Sequence, residues 1–216
     1  MKRIGFITGL RCEAHCLAGF ERVALSGANA ERARLHAQTM IDQGCDGLVS
    51  FGLAGGLCGD VRRGDVILPE KIVTYAQRVF DVDRAWRTDL ADGLETMNPH
   101  SKPLLGSDTA LLTPAEKADA HKRYDAVAVD MESHAVAAVA REAKVPFVVV
   151  RVVADACERT VPRWAFECVD ADGRTQIAPI IKGLIGAPHQ VVTMIGLGVD
   201  TAVALRSLRR VAAVFD

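Results

Sequence analysis

Pro146-Phe147-Val148-Val149-Val150-Arg151-Val152-Val153-Ala154-Asp155 is the stretch on which the fold class of this chain turns. Apart from Arg151, residues 146–153 are apolar and rich in β-branched valine, with no apolar/polar alternation, which marks a strand buried on both faces. Ile4–Thr8 and residues 47–51, 65–68 and 126–129 read the same way. Helical patterns lie between them. Ala30–Asp42 puts Ala33, Ala37, Met40 and Ile41 on one face, and residues 132–143 do so with Ala135, Val136, Val139 and Ala140. Thr113-Pro114-Ala115-Glu116 is a helix start, with a Thr cap, Pro at the first helical position and Glu at the third. Strands alternating with helices imply a mostly parallel sheet covered by helices. The expectation is one α/β domain over residues 1–216, an α/β/α sandwich.

Composition bounds the rest. The 216 residues carry 26 Lys plus Arg against 27 Asp plus Glu, a net charge of −1. Near-neutrality removes the bulk attraction on which nucleic-acid binding relies, so no nucleic-acid partner is expected. Half the residues are hydrophobic and a quarter charged, enough to build a packed core. The apolar run after Met1-Lys2-Arg3 is too short for a signal-peptide core. Six scattered cysteines, Cys12, Cys16, Cys45, Cys58, Cys157 and Cys168, read as free thiols in a reducing cytoplasm. Residues 183–199 lack Asp, Glu, Lys and Arg, but Pro188, His189 and Gln190 interrupt them and they fall short of a membrane span. Residues 81–102 read as a long surface loop, and the chain from Trp164 onward as mainly helical.

Ligands of parallel α/β sheets bind beyond the carboxyl ends of the strands, so residues there carry the functional argument. Gly52-Leu53-Ala54-Gly55-Gly56 follows one strand, and its small residues let backbone N–H groups approach a ligand; a tight turn with positive φ is the structural alternative. Asp130-Met131-Glu132 ends another strand at a helix start, where a carboxylate is favoured electrostatically in any case. Arg151 inside an apolar strand is costly unless paired, and Asp155 follows it. Glu13, in Cys12-Glu13-Ala14-His15-Cys16, faces the same crevice. No second cluster has zinc spacing, so no metal is expected. Gly196-Leu197-Gly198 resembles a dinucleotide-binding turn, but Thr201 replaces the third glycine and no strand follows. It reads as a helix boundary.

Taken together, Gly52–Leu57 with Gly64-Asp65-Val66, then Val129-Asp130-Met131-Glu132, then Arg151 through Asp155 resemble the nucleoside phosphorylase/nucleosidase superfamily. The Gly9-Leu10-x-x-Glu13-Ala14 opening and the short segment between Glu13 and Val23 are similar to its hopanoid-associated phosphorylases. Those are linked to removal of adenine from adenosylhopane. The resemblance implies a mixed, mostly parallel sheet, no cofactor, and a homo-oligomer. It implies that Met131 and Glu132 hold the ribose, Asp155 gives a proton to the purine N7, Arg151 positions this end of the site, and Glu13 activates water. Gly55, Leu111 and Phe147 would line the nucleoside. If phosphate is a co-substrate, Gly9, Arg11 and Ser50 are its candidate ligands, although Leu53 stands where phosphorylases often carry a hydroxyl. Water and phosphate both stay open as nucleophile.

The residue types suit this chemistry independently. N-glycosidic cleavage passes through an oxocarbenium-like state, so an acid must meet the leaving base and a carboxylate the sugar. Two alternatives are a methylthioadenosine/S-adenosylhomocysteine nucleosidase and a non-catalytic nucleoside-binding protein. Residues 201–215, with Ala202, Leu205, Leu208, Ala212 and Phe215 apolar and Arg206, Arg209 and Arg210 basic, suggest weak peripheral membrane contact or a helix packed on the sheet.

Overall fold

The computed structural model describes residues 3–166, 173, 187 and 190–215. Its strands are β1 (Ile4–Thr8), β2 (Val23–Leu25), β3 (Gly47–Gly56), β4 (Val66–Ile67), β5 (Lys71–Thr74), β6 (Val79–Asp81), β7 (Leu104–Gly106), β8 (Ala128–Asp130) and β9 (Phe147–Asp155). They form one sheet in the order β2-β1-β3-β8-β7-β5-β6, with β9 pairing both β3 and β4. Pairings β1–β2, β1–β3, β3–β9, β5–β7 and β7–β8 are parallel, whereas β3–β8, β4–β9 and β5–β6 are antiparallel. The sheet is therefore mixed and mostly parallel, as the sequence resemblance implies.

Helices are α1 (Arg11–Ala14), α2 (Ala30–Asp42), α3 (Arg84–Gly93), α4 (Pro114–Tyr124), α5 (Ser133–Ala143), α6 (Arg163–Phe166) and α7 (Val191–Ala212). Helix α2 starts at Asn29, whose side chain accepts from the Arg32 N–H, and buries Ala33, Ala37 and Met40. Thr113 and Glu116 form the reciprocal capping box anticipated for α4. Alternation along β9 divides the core. Val149 and Val153 join the cluster of α2 and α5, and Val148, Val150 and Val152 join that of α7. Burying each valine stabilises the sandwich by roughly 1.5–3 kcal/mol.

Three expectations are corrected. Residues 81–102 are not a long loop: they contain the end of β6, helix α3 and a 3₁₀ turn at Glu95–Met97. Asp83 caps α3 by accepting from the Trp86 N–H at 2.8 Å, and Leu90 and Leu94 are buried one turn apart. The polar composition hid this 86-90-94 stripe. Second, Gly52 to Gly56 belong to β3 itself, and none of them has positive φ. Third, Gly196 and Gly198 lie inside α7, where each costs about 1 kcal/mol in propensity. Packing of the helix offsets that cost.

For 201–215 the structure bears out the helix packed on the sheet: Ala204, Leu208, Val211 and Ala212 are buried in the core, whereas Ala202 of the expected stripe is exposed. By length and composition α7 could cross a membrane, yet that packing and a buried Asp200 hold its second half on the sheet. Most of residues 167–189, including Cys168, lie outside the described residues, so the helical expectation there is addressed only at α6 and α7. Cys12, Cys16, Cys45, Cys58 and Cys157 are all free thiols.

Candidate active site

The site grows from a gap along one edge of β3. Strand β1 pairs with β3 from Gly47 to Ser50, and β8 pairs with Gly55 and Gly56. Between those partners, Leu53 bonds side chains instead of a strand. Its N–H donates to Glu13 Oε1 at 2.8 Å, and its carbonyl accepts from Arg151 Nη1 at 3.4 Å. A gap in the ladder is thus filled by a carboxylate and a guanidinium, which satisfies the backbone.

Glu13 sits in the first turn of α1 and folds back on the end of β1. Its Oε2 accepts from the Gly9 and Leu10 N–H groups, both at 2.8 Å. The side chain is 2% exposed, and burial raises its pKa against the pull of Arg151 and these three amides. Glu132 is the N-cap residue of α5, with non-helical φ −129°. Its Oε1 lies so close to Gly9 that a Cβ there would come within 2.6 Å, so the two strand ends meet only because residue 9 has no side chain.

Arg151 joins these pieces. Its Nη2 donates to Glu132 Oε2 at 2.9 Å and to Ser50 Oγ at 2.7 Å, and lies 2.5 Å from Asp130 Oδ2. Ser133 Oγ donates to the same Asp130 oxygen. Glu13, Asp130 and Glu132 thus surround a single cation, and all are buried. Desolvation pushes Glu132 up to about 8 although Arg151 opposes it, and Asp130 and Glu13 push in the same upward direction.

Asp155 occupies the other end of the site. A β-bulge inserts Ala154 between the Ala54–Val153 and Gly55–Asp155 pairs, which places Asp155 directly beside Gly55. A Cβ at Gly55 would lie 3.3 Å from Asp155 Oδ1. Lys117 of α4, with no exposed surface, donates to Asp155 Oδ2. Burial raises the Asp155 pKa and Lys117 lowers it. A Cβ at Gly52 would meet Arg151 and Glu13 and one at Gly55 would meet Asp155, so the two groups of charges adjoin positions three residues, about 10 Å of strand, apart on β3.

The other expected residues divide. Met131 is half-buried between Asp130 and Glu132. Leu111 packs, half-buried, on the cluster of Leu57, Leu105 and Val129 next to Gly55. Phe147 does not reach the site: it begins β9 and pairs with Leu48 in the core, about 26 Å of strand from Asp155. Gly9, Arg11 and Ser50 do not form one anion pocket. The Gly9 amide is bound to Glu13, Ser50 is buried under Arg151 and Ser133, and Arg11 is exposed.

The model of the Phosphorylase superfamily matches residues 21–186. The chain belongs to the phosphorylase superfamily. Over 152 residues this superfamily member is 26% identical to a 5′-methylthioadenosine/S-adenosylhomocysteine nucleosidase of Maridesulfovibrio salexigens. That match covers 61% of the chain and 66% of the relative, just under two thirds of the relative's length. The fold is similar to the Neisseria meningitidis nucleosidase of that name in complex with methylthio-immucillin-A. The TM-score is 0.71 at 18% identity, covering 100% of this chain and 99% of that one. The Helicobacter pylori nucleosidase with butyl-thio-DADMe-Immucillin-A gives 0.72 at 15% identity, covering 100% and 96%. These structural likenesses show a nucleosidase-type fold.

Three residues of this phosphorylase-superfamily site escape a reading of the sequence. Asp130 is visible only as a flank of Met131, and Ser133 as an ordinary first-turn serine. Lys117 shares a face of α4 with buried Ala120, three residues on, and that was its one sequence signal.

Proposed function

We propose that this protein cleaves the N-glycosidic bond of a 5′-substituted adenosine and releases adenine. The observation that carries the reading is the placement of Glu13 with Glu132 at one end of Gly52–Gly55 and Asp155 at the other, about 10 Å along β3. That separation suits a ribose at the first centre and the imidazole edge of a purine at the second. As the C1′–N9 bond breaks, its electron pair goes to the base, and Asp155 delivers a proton to N7. Glu132 hydrogen-bonds the ribose hydroxyls and gains strength as the sugar becomes cationic. Met131 lies against the sugar.

Water is the nucleophile this site favours. Glu13 takes the proton of the attacking water as oxygen bonds to C1′, giving a free ribose hydroxyl. The candidate phosphate ligands argue against phosphorolysis, because the Gly9 amide and the Ser50 hydroxyl are already engaged inside the protein. No cofactor is required.

The 5′ substituent is the finer part of the proposal. The short connection after Glu13 favours a crevice open to a large apolar group, as in adenosylhopane, and hence a step in hopanoid synthesis. The soluble alternative is methylthioadenosine or S-adenosylhomocysteine, the substrates in the names of the relatives. Homo-oligomerisation in the cytoplasm belongs to the same proposal. Weak contact with a lipid surface would use exposed Val192, Ile195 and Val199 on the first half of α7. Free adenine is measured after incubation with methylthioadenosine, S-adenosylhomocysteine or adenosylhopane, with and without phosphate. Release independent of phosphate is expected; strict phosphate dependence overturns hydrolysis, and silence on all three substrates favours a nucleoside-binding protein.

A further inference from the structure

Lys117 is a fully buried charged group beside Asp155 with no part in the reaction described above. Its side chain has no exposed surface, and a buried ammonium costs several kcal/mol unless its donors are satisfied. All three donors are. Nζ donates to Asp155 Oδ2, to the Ala156 carbonyl at 2.9 Å and to the Arg159 carbonyl at 3.1 Å. These acceptors lie on the segment that leaves β9, and the Val161 N–H anchors its far end to the Leu112 carbonyl, just before α4, at 2.8 Å. Lys117 therefore ties α4 to the bulged end of β9 and engages Asp155 Oδ2, while the carboxylate as a whole faces Gly55, with Oδ1 and Oδ2 at 3.3 and 3.4 Å from where a Cβ would stand.

We propose that Lys117 is the positioning residue of Asp155: it fixes the direction in which Oδ1 faces the base and sets the pH range over which Asp155 holds its proton. The inference rests on the N-glycosidase reading, in which Asp155 is the acid. An ammonium on Oδ2 stabilises the ionised carboxylate and so opposes burial, which stabilises the neutral form. The other charges facing Asp155 are Arg159, from the segment after β9, and Asp200, from α7. Asp200 is itself paired with Arg63 and Arg159, so Lys117 is the nearest uncommitted counter-charge. An acid tied this way protonates N7 only when the base is seated on Oδ1, which couples proton delivery to substrate binding.

The sign of the pH effect follows directly. Activity that requires protonated Asp155 falls as pH rises through its pKa. Removing the Lys117 charge raises that pKa, so the basic limb of the profile moves to higher pH. Lys117→Met, which keeps the length and removes the charge, is expected to lower kcat about tenfold or more with KM little changed. Its kcat/KM limb should shift upward by about one pH unit or more. Lys117→Arg, which keeps the charge, should return the limb toward its wild-type position whatever its kcat. An unshifted limb in a folded Lys117→Met protein overturns the proposal, as does an unchanged kcat. If Lys117→Met does not fold, the wild-type protein decides. The Lys117 Nζ resonance, followed by ¹⁵N NMR and assigned with Lys117→Arg, should respond in the same pH step as the kinetic limb. A resonance silent through that step overturns the coupling. Wild-type protein that releases no adenine overturns the N-glycosidase reading instead, and the NMR titration against that of Asp155→Asn then tests the pairing alone.

Discussion

Arg151 Nη2 and Glu132 Oε2 lie 2.9 Å apart with both side chains buried, which ties the middle of β9 to the start of α5. This pair is the centre of a cluster in which one guanidinium faces Glu132, Asp130 and, more distantly, Glu13.

Removing that guanidinium leaves the carboxylates buried without a counter-charge. Arg151→Met should destabilise the protein by about 3–5 kcal/mol. Urea unfolding at neutral pH reads this, and the deficit should narrow on acidification as the carboxylates take up protons. A deficit independent of pH would point to lost packing alone.

Glu132, raised to about 8, makes stability depend on pH. Between its ordinary value of 4.5 and about 8 the folded protein holds a proton that the unfolded chain has released. Stability from this group is therefore complete below 4.5 and is lost as pH rises toward 8. Melting temperature should fall over that window, and Glu132→Gln should flatten the slope. A slope identical in the variant assigns the proton elsewhere.

Glu13→Gln tests the base and the gap in the ladder together. An amide can offer its one oxygen to the Leu53 N–H or to the Gly9 and Leu10 pair, but its NH₂ then faces a donor on the other side. The expected cost is about 1–3 kcal/mol of stability. Adenine release should drop roughly 10²–10⁴-fold under conditions where the variant remains folded. Full activity at normal turnover would remove Glu13 from the reaction.

Asp155→Asn should lower kcat by about 10²–10⁴-fold, since the leaving base then departs without its proton. Because Lys117 loses its ionic partner, the variant should also melt earlier than wild type. Calorimetry beside an adenine assay separates the two effects, and wild-type turnover would sink the assignment.

Gly52→Ala places a Cβ 2.6 Å from Arg151 Nη1 and 2.7 Å from Glu13 Cδ. Neither group can retreat, as both are buried and fully engaged, so the variant should lose about 1–3 kcal/mol. Activity should fall with it. Gly59, with nothing near its Cβ direction, serves as the tolerant control.

Much of this architecture was legible because it depends on short-range pattern. The α2 helix follows from an apolar spacing, and the α4 start from Thr113-Pro114-Ala115-Glu116, each within a turn or two of chain. The strand character of β1 and β9 follows from unbroken β-branched runs. The residues of the site were visible as polar groups at apolar strand ends, where burial demands a reason.

Contacts made by register were not legible. Phe147 shares a strand with Asp155, yet the length of β9 carries it to the opposite end of the core. One extra residue at Ala154 breaks the strict alternation and sets Asp155 against Gly55, and nothing in the local composition announces a bulge. Lys117 meets Asp155 across 38 residues, and Arg151 meets Ser50 across 101. By itself, then, the sequence determined the element types, the layered α/β class and the acids and arginine that burial would have to reconcile, because periodicity and desolvation act on each segment alone. Only the tertiary structure decided which of those charges meet, because partner choice depends on strand register and helix placement, and these emerge when distant segments pack.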